Sequence, residues 1–308
     1  MDTSNQPGLR VHHVEHAFAM RTVLQDISFE LPAGRTVALV GPSGCGKSTL
    51  LHLCAGLLDL QQGDITNGFA RTTTLFQQPH LLPWKTALDN IALGLKAQGV
   101  GRAEREARSR EMGRIVGLSE IALAQFPHQL SGGMQSRVAL ARALVLSPDA
   151  LLLDEPFSAL DIGLKAQMHQ LLLKQQQQRR LSVLMITHDL GEAVTLADTV
   201  LVMAAEPGRL VWRMDLPLPA TRRHEAWIHR HTAALMAQGV VREAFGLPAL
   251  PAPPPGMPDG PVSQCGLSHE STSPLPFAVE APMPGSFTVH AGEPIVLSTP
   301  LARPAGRC

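Results

Sequence analysis

Gly41-Pro42-Ser43-Gly44-Cys45-Gly46-Lys47-Ser48 fits the pattern G-x-x-x-x-G-K-S at every specified position. Gly41, Gly44 and Gly46 leave room for backbone N–H groups to curl round phosphate oxygens, and a helix starting here adds its positive end. Lys47 is the residue type that reaches β- and γ-phosphates, and the Ser48 hydroxyl is a hard oxygen ligand for Mg²⁺. Thr49 lies in the same turn and belongs with the binding residues. Further on, Leu151-Leu152-Leu153-Asp154-Glu155-Pro156 is an apolar run that ends in two acids. At the carboxyl edge of a parallel sheet, Asp154 can hold Mg²⁺ directly or through water. Glu155 is then the candidate general base for a water that attacks the γ-phosphate.

The elements that would position these groups are legible from periodicity. Residues 36–40 are a continuous apolar run, as a strand buried on both faces requires, and they lead straight into the glycine loop. From Ser48 to Leu58, leucines at 50, 51, 53, 57 and 58 set a helical rhythm. Strands are expected at 8–14, 23–31 and 72–76, and helices at 86–98, 102–116 and 120–126, separated by Gly99, Gly101 and Gly117. A helix over 131–146 stops at Ser147-Pro148. Strands at 150–153, 182–187 and 199–203 then alternate with helices at 162–178 and 190–196. The predicted class is α/β, a P-loop NTPase with a mostly parallel sheet flanked by helices. An antiparallel β subdomain precedes it and a helical insertion, about 82–146, interrupts it.

The chain has 308 residues with 26 basic and 26 acidic side chains, so no basic field argues for nucleic acid as a partner. The N-terminus lacks the apolar core of a signal peptide, and no apolar run reaches the length of a membrane span. Cys45, Cys54, Cys265 and Cys308 follow no metal or disulfide spacing, which favours a reducing compartment. Residues 248–308 hold 14 of the 25 prolines and no sustained period. That composition predicts a disordered or loosely packed tail after a domain spanning 8–247, with a small β module as the minority reading.

With the segment Leu130-Ser131-Gly132-Gly133-Met134-Gln135 added, residues 8–215 are similar to the nucleotide-binding subunit of an ATP-binding cassette transporter. The resemblance implies ATP and Mg²⁺ as ligands, and a second copy of the chain whose Ser131, Gly132 and Gly133 approach the γ-phosphate. The family commonly has Gln where Met134 stands. The resemblance also implies that Gln77 is the lid glutamine, touching Mg²⁺ and the attacking water, with Gln78 adjacent as the alternative. Asp161, in Ser158-Ala159-Leu160-Asp161, would reach across the dimer, and His188 would contact the γ-phosphate and steady Glu155. Adenine would stack on an aromatic ring upstream of the glycine loop. Phe18 is the candidate and His16 its rival, since the chain has no tyrosine.

Gln78-Pro79-His80-Leu81-Leu82-Pro83-Trp84 and Phe126-Pro127-His128-Gln129 resemble the subgroup that serves nitrate, sulfonate, taurine and bicarbonate importers. Expected partners are integral-membrane permease subunits and, through them, a periplasmic solute-binding protein, with this chain peripheral on the cytoplasmic face of the inner membrane. Two other readings are a soluble cassette ATPase acting on DNA or ribosomes and a degenerate regulatory cassette. Lys47 and Ser131 are not separated by a long coiled coil, one set of motifs is present, and Lys47, Asp154, Glu155 and His188 are intact.

Overall fold

The computed structural model describes residues 7–250 and 287–290. Two long antiparallel strands, β1 (Gly8–Phe18) and β2 (Arg21–Pro32), bury Val11, Val14, Leu24, Ile27 and Leu31 on one face. β3 (Thr36–Val40) is buried at every position and runs through the glycine loop into α1 (Lys47–Cys54). β4 (Gln62–Asn67) returns to pair with β1, and β5 (Thr72–Leu75) opens the second sheet. The insertion contains α2 (Ala87–Ile91), α3 (Leu93–Ala97), α4 (Arg102–Ile115) and α5 (Glu120–Ala124), and α6 (Gly132–Leu144) follows. Then come β6 (Ala150–Asp154), α7 (Ile162–Arg179), β7 (Ser182–Thr187), α8 (Leu190–Leu196), β8 (Thr199–Ala204) and β9 (Arg209–Asp215). Helices α9 (Glu225–Ala237) and α10 (Gly239–Ala244) pack back on α8 and β9. Finally β10 (Phe287–His290) pairs with β4.

The main sheet runs β5-β6-β7-β3-β8-β9, parallel from β5 to β8, with β9 antiparallel at one edge. Its strands explain their own composition. Ala38, Val40, Leu151, Leu153, Val183 and Met185 point into a core shared with α6, α7 and α8. Their neighbours Val37, Leu39, Leu152, Leu184 and Ile186 point into a second core shared with α1 and the antiparallel sheet. Because side chains alternate faces and both faces are covered, an unbroken apolar run is what such strands need.

The sheet, the flanking helices and the insertion agree with the sequence expectation. Several details differ. β1 and β2 extend to a tight hairpin, with Phe18 opposite Arg21, so Phe18 ends a strand rather than lying in a loop. The helix expected over 86–98 is divided at Ala92 into α2 and α3. β4 was not foreseen: Gly63, Asp64 and Asn67 are poor strand formers, and its pairing with β1 holds it extended. The expectations for residues 248–308 lie outside the described residues except at 248–250 and β10.

One turn locks the antiparallel sheet to the glycine loop. Gly208, between β8 and β9, accepts from Gln25 N and donates to Val23 O, both at 2.9 Å. A Cβ at Gly208 would sit 2.2 Å from Cys45 O and 2.8 Å from Val23 O. Both neighbours are backbone, so neither can swing away. Gly208→Ala is expected to cost about 1–3 kcal/mol in urea unfolding and to raise the KM for ATP by displacing Cys45. Unchanged values for both would contradict this packing.

Candidate active site

α1 starts at Gly46, whose φ of 95° is left-handed, and a Cβ there would meet Leu24 Cδ2 at 2.7 Å. No side chain caps α1. By contrast, Ser131, Asp161 and Asp189 cap α6, α7 and α8 with their own oxygens. The first-turn N–H groups of Lys47, Ser48 and Thr49 therefore suit an anion better than a side chain. Lys47 is 7% exposed, and its Nζ donates to Gly41 O at 2.9 Å and Pro42 O at 2.7 Å. Among the described residues its only other hydrogen-bond contact is the Cys45 Sγ at 3.5 Å, and a buried ammonium held by neutral groups is a natural partner for a phosphate oxygen.

β6 delivers Asp154 to the same place, 4% exposed. Burial pushes its carboxyl above the usual carboxylate range, and the hydrogen bond from Ser48 pulls it back. Neighbouring Glu155 pushes it up further, while His52 and Lys47 pull it down. Ser48 and Asp154 thus meet as paired oxygen donors, a donor set that fits Mg²⁺. His52 was not among the residues singled out from sequence. Its spacing of one helical turn from Ser48 was the available signal.

Glu155 departs from the strand with a φ of 45°, a conformation that costs a non-glycine residue about 1–3 kcal/mol. Its N–H donates to Ile186 O at 3.0 Å, and its carbonyl accepts from Ser158 Oγ at 3.0 Å. This turn presents the carboxylate to two partners. Gln77 Nε2 donates to Glu155 Oε2 at 3.4 Å, and His188 Nδ1 lies 3.3 Å from Oε1. Two residues distant in sequence converge on the Glu155 carboxylate, and of the two adjacent glutamines it is Gln77 that reaches it.

Ser131, Gly132, Gly133 and Asp161 are not joined to this cluster. Ser131 and Gly132 are exposed at the start of α6, where Ser131 Oγ accepts from Met134 N at 3.3 Å. Gly133 abuts Ala159 O and Leu160, and Asp161 Oδ1 accepts from Leu164 N at 2.9 Å. Among the described residues, no hydrogen bond or ion pair links these groups to the glycine loop. They form one exposed neighbourhood of their own. At the hairpin tip Phe18 is 51% exposed, whereas His16 is 5% exposed beneath it, with ring centroids 4.8 Å apart. Only Phe18 offers a free ring face.

Because ionised Asp154 is opposed by burial, stability falls as pH rises through its elevated pKa. Asp154→Asn is therefore expected to raise the melting temperature of the nucleotide-free protein at neutral pH. The same change is expected to lower Mg²⁺-dependent ATPase activity by about 10²-fold or more. A variant that is both less stable and fully active would reverse the assignment.

Three comparisons place this geometry. A family profile described as ABC transporter matches residues 24–158. The taurine import ATP-binding protein TauB of Rhizobium johnstonii is 48% identical over 220 residues, covering 68% of this chain and 84% of that protein. The aliphatic sulfonates import ATP-binding protein SsuB 3 of Pseudomonas savastanoi pv. phaseolicola is 41% identical over 253 residues, covering 80% of this chain and 89% of that protein. The dimeric structure of MJ0796, a bacterial ABC transporter cassette, superposes with a TM-score of 0.63 at 27% identity, covering 68% of this chain and 99% of that one. A second structure of that cassette is a dimer in a post-hydrolysis state with ADP and Pi, with a TM-score of 0.61 at 27% identity. At these identities and coverages the chain belongs to the ABC transporter family as an ATP-binding, ATP-hydrolysing subunit.

Proposed function

We propose that this chain powers import of a small sulfonate, taurine-like in size. The observation that carries the catalytic reading is the convergence of Gln77 and His188 on Glu155. The substrate class is supported by the relatives, which are named as taurine and aliphatic sulfonate import subunits. In this reading residues 8–247 are the catalytic domain and the remainder a tail. Phe18 stacks on adenine, the glycine loop and Lys47 hold the phosphates, and Ser48, Asp154 and Gln77 hold Mg²⁺. When bound there, the ion would supply positive charge against the phosphate oxygens. Glu155 accepts the proton of the attacking water, and His188 fixes the carboxylate while contacting the γ-phosphate.

A second copy supplies Ser131, Gly132 and Gly133 to complete each site, with Asp161 crossing between the two. Closure of the pair then drives integral-membrane permease subunits, which receive the sulfonate from a periplasmic solute-binding protein. Exposed apolar residues of the insertion, Trp84 at 69% exposure and Phe126, suit such a docking surface. The chain would sit peripherally on the cytoplasmic face of the inner membrane, and no described helix is long and apolar enough to cross one.

Three measurements bear on this. Glu155→Gln is expected to bind ATP normally while hydrolysis falls by about 10²-fold or more, and an unaltered rate would remove Glu155 as the base. In a strain lacking the chromosomal copy, growth on taurine or an alkanesulfonate as sole sulfur source should return with the wild-type chain and not with Glu155→Gln. Rescue of nitrate uptake alone would reassign the substrate. Removing residues 251–308 should leave ATPase activity of the assembled transporter within about twofold, because every proposed site residue lies upstream.

A further inference from the structure

Arg142 lies in the last turn of α6, the helix that begins at Ser131, and nothing in the reaction described above uses it. Its guanidinium reaches out of the helix to the segment after β5. Nη2 donates to Pro79 O at 2.7 Å and Nη1 donates to His80 O at 2.9 Å. Among the described residues no carboxylate pairs with it, and burial holds its pKa below the usual arginine value. A half-buried cation therefore spends its charge on two consecutive backbone carbonyls, the forked geometry in which arginine differs from lysine.

Those carbonyls belong to a segment with few other restraints. Gln77 and Gln78 are exposed, and His80 has a φ of 43°. The ring of Phe76 lies edge-on to His80 at 5.6 Å, which folds the segment back on itself. α6 is meanwhile fixed to β5 by Thr73 Oγ1, which donates to Ala143 O at 3.4 Å. One end of α6 thus bears the residues offered to a second copy, and the other end grips the loop that carries Gln77.

We propose that Arg142 is a positioning residue that sets Gln77 against Glu155 and ties that placement to the position of α6. Motion of the Ser131 end, as a second copy closes on it, reaches the lid glutamine through this fork. The proposal rests on the assignment of Gln77 to the attacking water, and the experiment separates the two.

The test is a double-mutant cycle in the purified full-length chain, with Gln77→Ala, Arg142→Ala and the pair. Arg142→Ala is expected to lower kcat about tenfold or more, as misplacement of a catalytic group does, with the KM for ATP within twofold. Combined with Gln77→Ala it should cost nothing further, because the fork acts only through the loop. Arg142→Lys, which can reach one carbonyl, should recover part of kcat, and Arg142→Gln replaces the alanine variant if that fails to fold. Multiplicative losses in the pair, or a loss of kcat with Lys equal to that with Ala, would overturn the proposal. If Gln77→Ala leaves kcat unchanged, the glutamine assignment fails on its own. Hydrogen exchange then decides: the amides of Phe76, Gln77, Gln78 and His80 should exchange faster in Arg142→Ala, and unaltered protection there would refute a positioning role.

Discussion

The site depends on the parallel register of β5, β6 and β7. Leu75 stands opposite Leu153, and Leu153 opposite Met185. Counting outward from that row, Gln77 and Glu155 are each two residues beyond it and His188 is three. The chemistry at this edge is thus a matter of equal strand lengths. A slip of one residue would turn Asp154 and Glu155 to the other face and exchange the two apolar cores. Such a slip would misfit side-chain volumes in two close-packed cores, so the sheet's packing holds the geometry of its polar rim.

Much of this was legible from sequence because the relevant signals are local. The glycine loop, the apolar runs of β3, β6 and β7, and the acids after Leu153 each announce their element within a few residues. What escaped depends on distant partners. β4 is a strand because β1 is beside it, in spite of Gly63, Asp64 and Asn67. β9 carries Leu210, Trp212 and Met214 in alternation, a readable signal that its flanking Arg209, Arg213 and Asp215 obscure. The grip of Arg142 on Pro79 and His80 has no sequence signature, since its acceptors are carbonyls that every residue possesses.

The charged groups of the site are held differently from those of the surface. Lys47 and Asp154 are both buried, each compensated by loop carbonyls or a hydroxyl rather than by a direct ion pair with the other. Glu155 sits on a strained backbone that two neighbouring contacts maintain. Such arrangements are unfavourable in isolation and are retained where a ligand resolves them. The exposed group around Ser131, Gly133 and Asp161 carries no comparable burden, because its helix ends are already capped.

The bare start of α1 has a consequence for the life of the protein rather than for its reaction. A ligand that satisfies those N–H groups binds the folded chain and not the unfolded one. At about a hundred times its dissociation constant, such a ligand adds about 2.7 kcal/mol of stability. Bound nucleotide is then part of what keeps the chain folded, and a fall in its concentration lowers that stability while the site is still mostly occupied.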